Sequence, residues 1–358
     1  MLSRWLFCLF AFVLLAAPVS AASAAVPRDF VGVAADDVFA GDPAYRASTL
    51  HTQRSVGVGL IRQTFDWSFI ETAPGRYDLS AYDAYVASAA ANRIRVLPIL
   101  FNPPGFRRRT RGRATCPPRR LSTMAAFARV LVKRYGPRGS LWRERPDVRR
   151  TPIRSWQIWN EPNLGIYWCN RPNARAYTRM LHVVGRAIRR SDRRAEIVTA
   201  GLPPSKLRSA VPVDRYLRRL YRTGAKRWFH TLAINSYARN RRELRDLLGS
   251  TRRLMNRARD RRGRIWLTEL GWGDSGPRHR FIVGRAGQAA RIRSSFAYIR
   301  SRRAGLRLRG VVYYSWRDLR PYPPLYRDLW GLHTGLLDVN GNPKPAFYAF
   351  SRAVKALR

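Results

Sequence analysis

The chain has 358 residues, 46% of them hydrophobic, and sets 68 Lys and Arg against 22 Asp and Glu for a formal net charge of +46. The hydrophobic share suffices for a large core. The charge would attract nucleic acid, anionic polysaccharide or an anionic cell surface, yet only five of the basic residues are lysines and the arginines are spread along the whole length. Neither a ribonucleoprotein aromatic motif nor a zinc-finger spacing accompanies them, so no specific nucleic-acid partner is expected. A coding bias towards arginine would produce the same spread.

In chain order, Met1–Arg4 carries one arginine, Trp5–Ala17 has no charge, and Ala22-Ser23-Ala24 fits an A-x-A cleavage site. The apolar run, about 13 residues, is shorter than the roughly 18–20 that span a bilayer. Residues 1–24 therefore read as a signal peptide, with a retained anchor as the alternative. The mature protein is expected to be secreted, extracellular or cell-wall associated, without a membrane span. Residues 25–358 contain no Gly/Ser-rich or Pro-rich linker and read as one domain, expected to be monomeric.

Strand patterns are predicted at Phe30–Ala34, Gly59–Thr64, Arg95–Leu100, Ser155–Trp159, Glu196–Ala200, Thr231–Asn235, Arg264–Thr268 and Val311–Ser315. They alternate with helical patterns near Tyr45–Val56, Ala81–Asn92, Thr123–Tyr135, Ala174–Arg190, Val213–Thr223, Arg242–Arg262, Arg285–Arg303 and Pro345–Leu357. Consecutive apolar residues, as in Val96-Leu97-Pro98-Ile99-Leu100, suit parallel strands covered on both faces. Ser80, Ser122 and Asn173 stand where helix N-caps are expected. Eight strand–helix units predict a single α/β domain, a (β/α)8 TIM barrel. The alternative, a doubly wound sheet, would want a Gly-rich turn after the first strand, and Val33-Ala34-Ala35-Asp36-Asp37 has none.

In a barrel, functional side chains stand at the C-terminal ends of the strands. The fourth strand runs into Trp159-Asn160-Glu161-Pro162-Asn163, and the seventh into Thr268-Glu269-Leu270-Gly271-Trp272-Gly273. Either glutamate alone could be a structural strand-end carboxylate. Two at one barrel mouth are the machinery of glycoside hydrolysis, where one protonates the leaving oxygen and the other attacks the anomeric carbon or activates water. Apolar neighbours around Glu161 would keep it protonated as a general acid. A guanidinium at Arg62 would hold Glu269 ionised, unless Arg62 forms only a structural salt bridge.

These two segments resemble the signature strands of the clan A retaining glycoside hydrolases, families 39 and 5 in particular. The resemblance implies Glu161 as acid/base and Glu269 as nucleophile. Leu60-Ile61-Arg62 resembles the second strand, whose Arg bonds the nucleophile, and Ser315-Trp316 the eighth, whose Trp floors the subsite at the scissile bond. Leu337–Phe347 resembles the closing turn into the last helix, so the likeness spans most of residues 30–357. One departure is Asn235-Ser236-Tyr237 where these families often carry His-x-Tyr. Tyr237 keeps a hydroxyl that could orient the nucleophile, and Asn235 can donate hydrogen bonds but cannot carry charge.

The expected substrate-binding set is therefore Arg62, Asn160, Asn235, Tyr237 and Trp316. Asn160 could hold a sugar 2-hydroxyl, with loop capping as the alternative. Trp159, Trp168 and Trp272 are tryptophans that could stack on sugars or simply pack. Cys116 and Cys169, in loops after adjacent strands of an exported protein, predict a disulfide. The chemistry needs no metal and no cofactor. The expected reaction is retaining hydrolysis of a poly- or oligosaccharide. Transglycosylation on the same site, or a catalytically weak carbohydrate-binding barrel, are the alternatives. Arg107, Arg108, Arg109, Arg111 and Arg113, after the third strand, are candidates to border the cleft and to hold an anionic polysaccharide or cell-wall glycan.

Overall fold

A computed structural model of the chain describes residues 26–108, 115–169, 171–320 and 328–358; the expected signal peptide lies outside them. Eight parallel strands close a barrel: β1 (Val31–Ala34), β2 (Leu60–Asp66), β3 (Arg95–Phe101), β4 (Ser155–Ile158), β5 (Glu196–Val198), β6 (Thr231–Asn235), β7 (Arg264–Leu270) and β8 (Leu308–Tyr314). Each strand pairs with its sequence neighbours, and β1 closes the ring on β8 through Val33 opposite Tyr313. The barrel interior is filled by Ala34, Leu60, Leu97, Val198, Ala233, Trp266 and Val312, all buried. It is a packed core, and open space begins only above the C-terminal strand ends.

Eight main helices wrap the barrel: α1 (Pro43–Ser55), α2 (Ser80–Ala91), α3 (Leu121–Tyr135), α4 (Ala174–Ser191), α5 (Val213–Arg222), α6 (Arg241–Arg257), α7 (Gly284–Leu306) and α8 (Pro345–Leu357). α4 shows the rule. Asn173 caps it by accepting from the Ala176 N–H at 2.9 Å. Tyr177, Met180, Leu181, Val184 and Ile188 bury one stripe, and Arg189 and Arg190 fall in the last turn, exposed and favourable to the helix dipole.

Two of the expected caps differ. Ser80 is the first residue of α2, and Asp78 accepts from its N–H at 2.9 Å and its hydroxyl at 2.7 Å. A carboxylate is the stronger acceptor at a helix N-terminus, so the signal sat two residues upstream. α3 begins at Leu121, before Ser122, with Arg120 in the cap position. The fourth strand also stops at Ile158, because Trp159 has φ 75° and leaves the extended conformation.

Three ties, two polar and one covalent, fix the ends of the barrel. At the bottom, Arg309 bonds Asp29 at 2.8 Å and Glu196 at 3.3 Å. Near the mouth, buried Lys344 bonds Asp318 at 2.9 Å and Asp274 at 3.0 Å, joining the loops after β7 and β8 to the start of α8. The expected disulfide is present: Cys116 and Cys169 are joined with Cα atoms 5.1 Å apart, tying the loops after β3 and β4. Among the described residues, no helix is long and apolar enough to cross a membrane.

Candidate active site

A cleft of about 610 Å³ opens at the C-terminal mouth of the barrel, and both Glu161 and Glu269 line it. Glu269 reaches it through a bulge. β6 pairs Ile234 with Leu267 but Asn235 with Glu269, and β8 also slips, pairing Val311 with Leu267 and Tyr313 with Leu270. The extra residue in β7 re-aims the side chain at the barrel rim. Glu161 lies three residues beyond β4 on a strained turn, with φ 75° at Trp159 and 42° at Glu161. Such positions cost of order 1–3 kcal/mol each and persist only where the surroundings enforce them. Here the Trp159 N–H donates to the Leu100 carbonyl at 3.1 Å and the Glu161 N–H to the Gly201 carbonyl at 3.2 Å.

The two carboxyls stand in different electrostatic surroundings. Buried Arg62 donates from Nη1 to Glu269 Oε1 at 2.8 Å, from Nε to Gln157 Oε1 at 2.8 Å and from Nη2 to Asn160 Oδ1 at 3.1 Å. The Tyr237 hydroxyl donates to Glu269 Oε2. Glu269 thus receives a cation and a phenol, partners suited to a carboxylate anion. Burial, reinforced by Glu269, holds the Tyr237 phenol well above its usual range, so it remains a donor.

Glu161 accepts one neutral donor, Asn235 Nδ2 at 2.7 Å. The amide is oriented by Thr268, whose hydroxyl donates to Asn235 Oδ1 at 2.8 Å. Gly201 is required beside it, since a Cβ there would come within 1.9 Å of Asn235 Oδ1. Burial first, and the charge of Glu269 second, push the Glu161 carboxyl up to about 8, against the Asn235 bond and Arg62. One carboxyl meets a neutral amide, the other a guanidinium and a phenol.

Of the expected substrate-binding residues, the structure brings Arg62, Asn160, Asn235 and Tyr237 into this network. It corrects Trp316. That ring is fully buried, packs edge-on against Phe347 of α8 at 5.9 Å between centroids, and does not line the cleft. β8 ends at Tyr314, and Tyr314 presents the aromatic surface instead. Trp159, Trp168 and Trp272 are likewise buried. Further aromatic lining comes from Tyr167, Tyr237, Phe281 and Trp330, with His279 stacked on Trp330 at 5.1 Å and 6°. The loop arginines also differ from expectation where they are described. Arg107 pairs with buried Glu71 at 2.7 Å, and Arg108 donates to the Pro103 carbonyl at 2.6 Å; Arg109, Arg111 and Arg113 lie outside the described residues.

Three participants escaped the sequence reading. Gln157 fixes the Arg62 guanidinium and in turn donates to the Thr199 carbonyl at 3.0 Å. Thr268 fixes Asn235. Asp36, just past the end of β1, lines the cleft, and the crowding of protein around it, with Asp37 adding, raises its carboxyl to about 6. Its signal was available, because Asp36 stands at the C-terminal end of a strand pattern, as Glu161 and Glu269 do.

No protein-family profile matches the chain, and no curated protein is similar to it. Solved structures do match. A family 39 glycoside hydrolase from the gut symbiont Bacteroides cellulosilyticus WH2 superposes with a TM-score of 0.67 at 18% identity, over 92% of this chain and 64% of that one. The chain shares the closed eight-strand barrel fold of such solved glycoside hydrolases. A monomeric beta-xylosidase from Caulobacter crescentus CB15 gives 0.64 at 18% identity, over 91% of this chain and 68% of that one. Xylanase 10B from Thermotoga petrophila RKU-1 gives 0.62 at 14%, over 92% and 96%. The chain thus spans about two thirds of the first two structures, and at such identities the likeness is one of fold.

Proposed function

We propose that this protein is an exported retaining glycoside hydrolase with Glu161 as acid/base and Glu269 as nucleophile. The observation that carries the reading is the asymmetry of the pair: Arg62 and Tyr237 on Glu269, and only the neutral Asn235 amide on a Glu161 whose carboxyl is raised to about 8. Two carboxyls in one cleft with opposite electrostatic preferences are an acid and a nucleophile at the same pH.

In the first step Glu269 attacks the anomeric carbon while the glycosidic C–O bond breaks, and Glu161 passes its proton to the leaving oxygen. In the second, water attacks the same carbon, its proton goes to Glu161, and the bond to Glu269 breaks. Two inversions give net retention. Asn160, held by Arg62, supports this reading as a partner for the sugar 2-hydroxyl. Export is supported by the charge and apolar pattern of residues 1–24.

The test is a panel of chromogenic β-xylosides, β-glucosides and β-mannosides, with the first-formed product anomer read by proton NMR. Release of the same anomer as the substrate supports the proposal. Inversion, or saturable glycan binding with no turnover of any glycoside, would remove it.

A further inference from the structure

Beyond Glu161 one side of the cleft is mostly aliphatic. The segment carrying Glu161 continues into Leu164, Ile166 and Tyr167, and the Gly201 carbonyl that accepts from Glu161 leads into Pro203, Pro204 and Leu207. Ile166 is 47% and Leu207 54% exposed, and Leu329 across the mouth is 41% exposed. Three of the six large hydrophobic side chains most exposed among the described residues therefore line this one cleft. Single exposed apolar residues need no explanation, but a group at the mouth of a cleft marks a ligand surface.

These side chains are held in place. The Gly165 N–H donates to the Ser209 carbonyl at 3.0 Å, and the Val211 N–H to the Asn163 carbonyl at 2.8 Å. Buried Asn163 donates to the carbonyls of Pro203 at 3.0 Å and Val211 at 3.1 Å. At this seam a Cβ on Gly165 would stand 2.7 Å from Ser209 Cβ, so the two loops close without a side chain between them. The Thr115 hydroxyl donates to the Ile166 carbonyl, and the Cys116–Cys169 disulfide anchors the same loop. A platform so fixed displays Ile166 and Leu207 to water without being a consequence of disorder.

The oxygen that Glu161 protonates belongs to the leaving group, so the residues that follow Glu161 face the aglycone. A second sugar there would bring several hydroxyls needing partners and C–H faces that favour aromatic rings. This wall offers mostly aliphatic carbon, with a single aromatic ring, Tyr167, and with Ser205 and Lys206 as polar members. The aromatic rings Phe281 and Trp330 come from other loops. We infer that the leaving-group half of the cleft binds a hydrocarbon aglycone, so that the preferred substrate is a glycoside of an apolar alcohol and not a polysaccharide. The inference rests on the hydrolase reading and narrows its substrate class.

The test compares methyl and hexyl β-glycosides of the sugar selected by the chromogenic panel with the β-linked disaccharide of that sugar. Alkyl leaving groups differ little in acidity, so chain length reads contact. With a fully buried methylene conferring roughly fourfold, kcat/KM is expected to rise at least about tenfold from methyl to hexyl, mainly through KM. In the double variant Ile166→Ser/Leu207→Ser the hexyl-to-methyl ratio falls at least about fivefold, whereas Tyr348→Ser, an exposed position on α8, leaves the ratio unchanged. Calorimetric binding of the same two alkyl glycosides to the Glu161→Gln protein reads the wall without turnover and should show the same preference. Equal methyl and hexyl values in both assays, or a disaccharide better than the hexyl glycoside, would overturn the inference. Absence of turnover with the binding preference intact would instead remove the hydrolase reading and leave the apolar subsite standing.

Discussion

Asn235 donates to Glu161 at 2.7 Å through an amide that Thr268 holds in one orientation. Position 235 thus supplies a neutral donor to Glu161. A neutral donor stabilises the ionised carboxyl a little without forcing ionisation. The Glu161 carboxyl, raised to about 8, can then remain protonated beside a Glu269 that is bonded to Arg62.

The first prediction follows from the sign of that bond. The Asn235 N–H favours charged Glu161, so Asn235→Ala should raise the Glu161 carboxyl further above about 8. A general acid must be protonated, so the alkaline limb of kcat/KM lies near that value and should move up in the variant, by about half a unit to one unit. A pH–rate profile on an alkyl glycoside reads it. A downward shift of the limb would contradict the assigned contact.

Removal of the acid should depend on the leaving group. Glu161→Ala is expected to lose roughly 10²–10⁴-fold in kcat/KM on alkyl glycosides, which need protonation. On dinitrophenyl glycosides the first step needs little help and the loss should be far smaller. Equal losses on both substrates would contradict the division of roles.

Trp316 is assigned to packing against α8, away from any sugar. Trp316→Leu should therefore lower stability by of order 2 kcal/mol, because a buried indole leaves a partly filled space. KM for a chromogenic glycoside should stay within twofold of wild type. Chemical denaturation and steady-state kinetics on one preparation separate the two, and a large KM increase with unchanged stability would restore a sugar-stacking role.

The disulfide closes a loop of 53 residues, for which chain-entropy reasoning gives at most about 4 kcal/mol. Cys116→Ser/Cys169→Ser should be less stable by up to that amount and less active, since the bridge anchors the loop that carries Glu161 and Ile166. A thiol count on unfolded, unreduced wild-type protein should find neither cysteine free. Two titratable thiols would end the assignment.

Much of this was legible in the sequence, for identifiable reasons. The barrel strands are short apolar runs bounded by turn residues, so their order and spacing could be read, and the strand-end rule then picked out Glu161 and Glu269. What misled was the end of β8. Val311-Val312-Tyr313-Tyr314-Ser315-Trp316 is β-forming almost throughout, so periodicity cannot tell whether Tyr314 or Trp316 closes the strand. A shift of two residues exchanges a cleft residue for a core one. The bulge at Glu269 leaves no mark in the pattern because the apolar run Ile265-Trp266-Leu267 before it reads as an ordinary strand. The cleft walls were illegible too: Leu207 and Trp330 come from distant loops and meet only once the barrel closes.

The most direct test of the account is chemical rescue at Glu269. Glu269→Ala removes the nucleophile while leaving Glu161 in place, so a β-glycoside with a good leaving group should turn over only slowly. Added azide, small enough to occupy the vacated space, should restore turnover and yield a glycosyl azide of inverted, α configuration, identifiable by NMR. Wild type on the same substrate should release the β product. Undiminished activity in the variant, or a rescued product of retained configuration, would show that Glu269 does not attack the anomeric carbon and would contradict the mechanism at its centre.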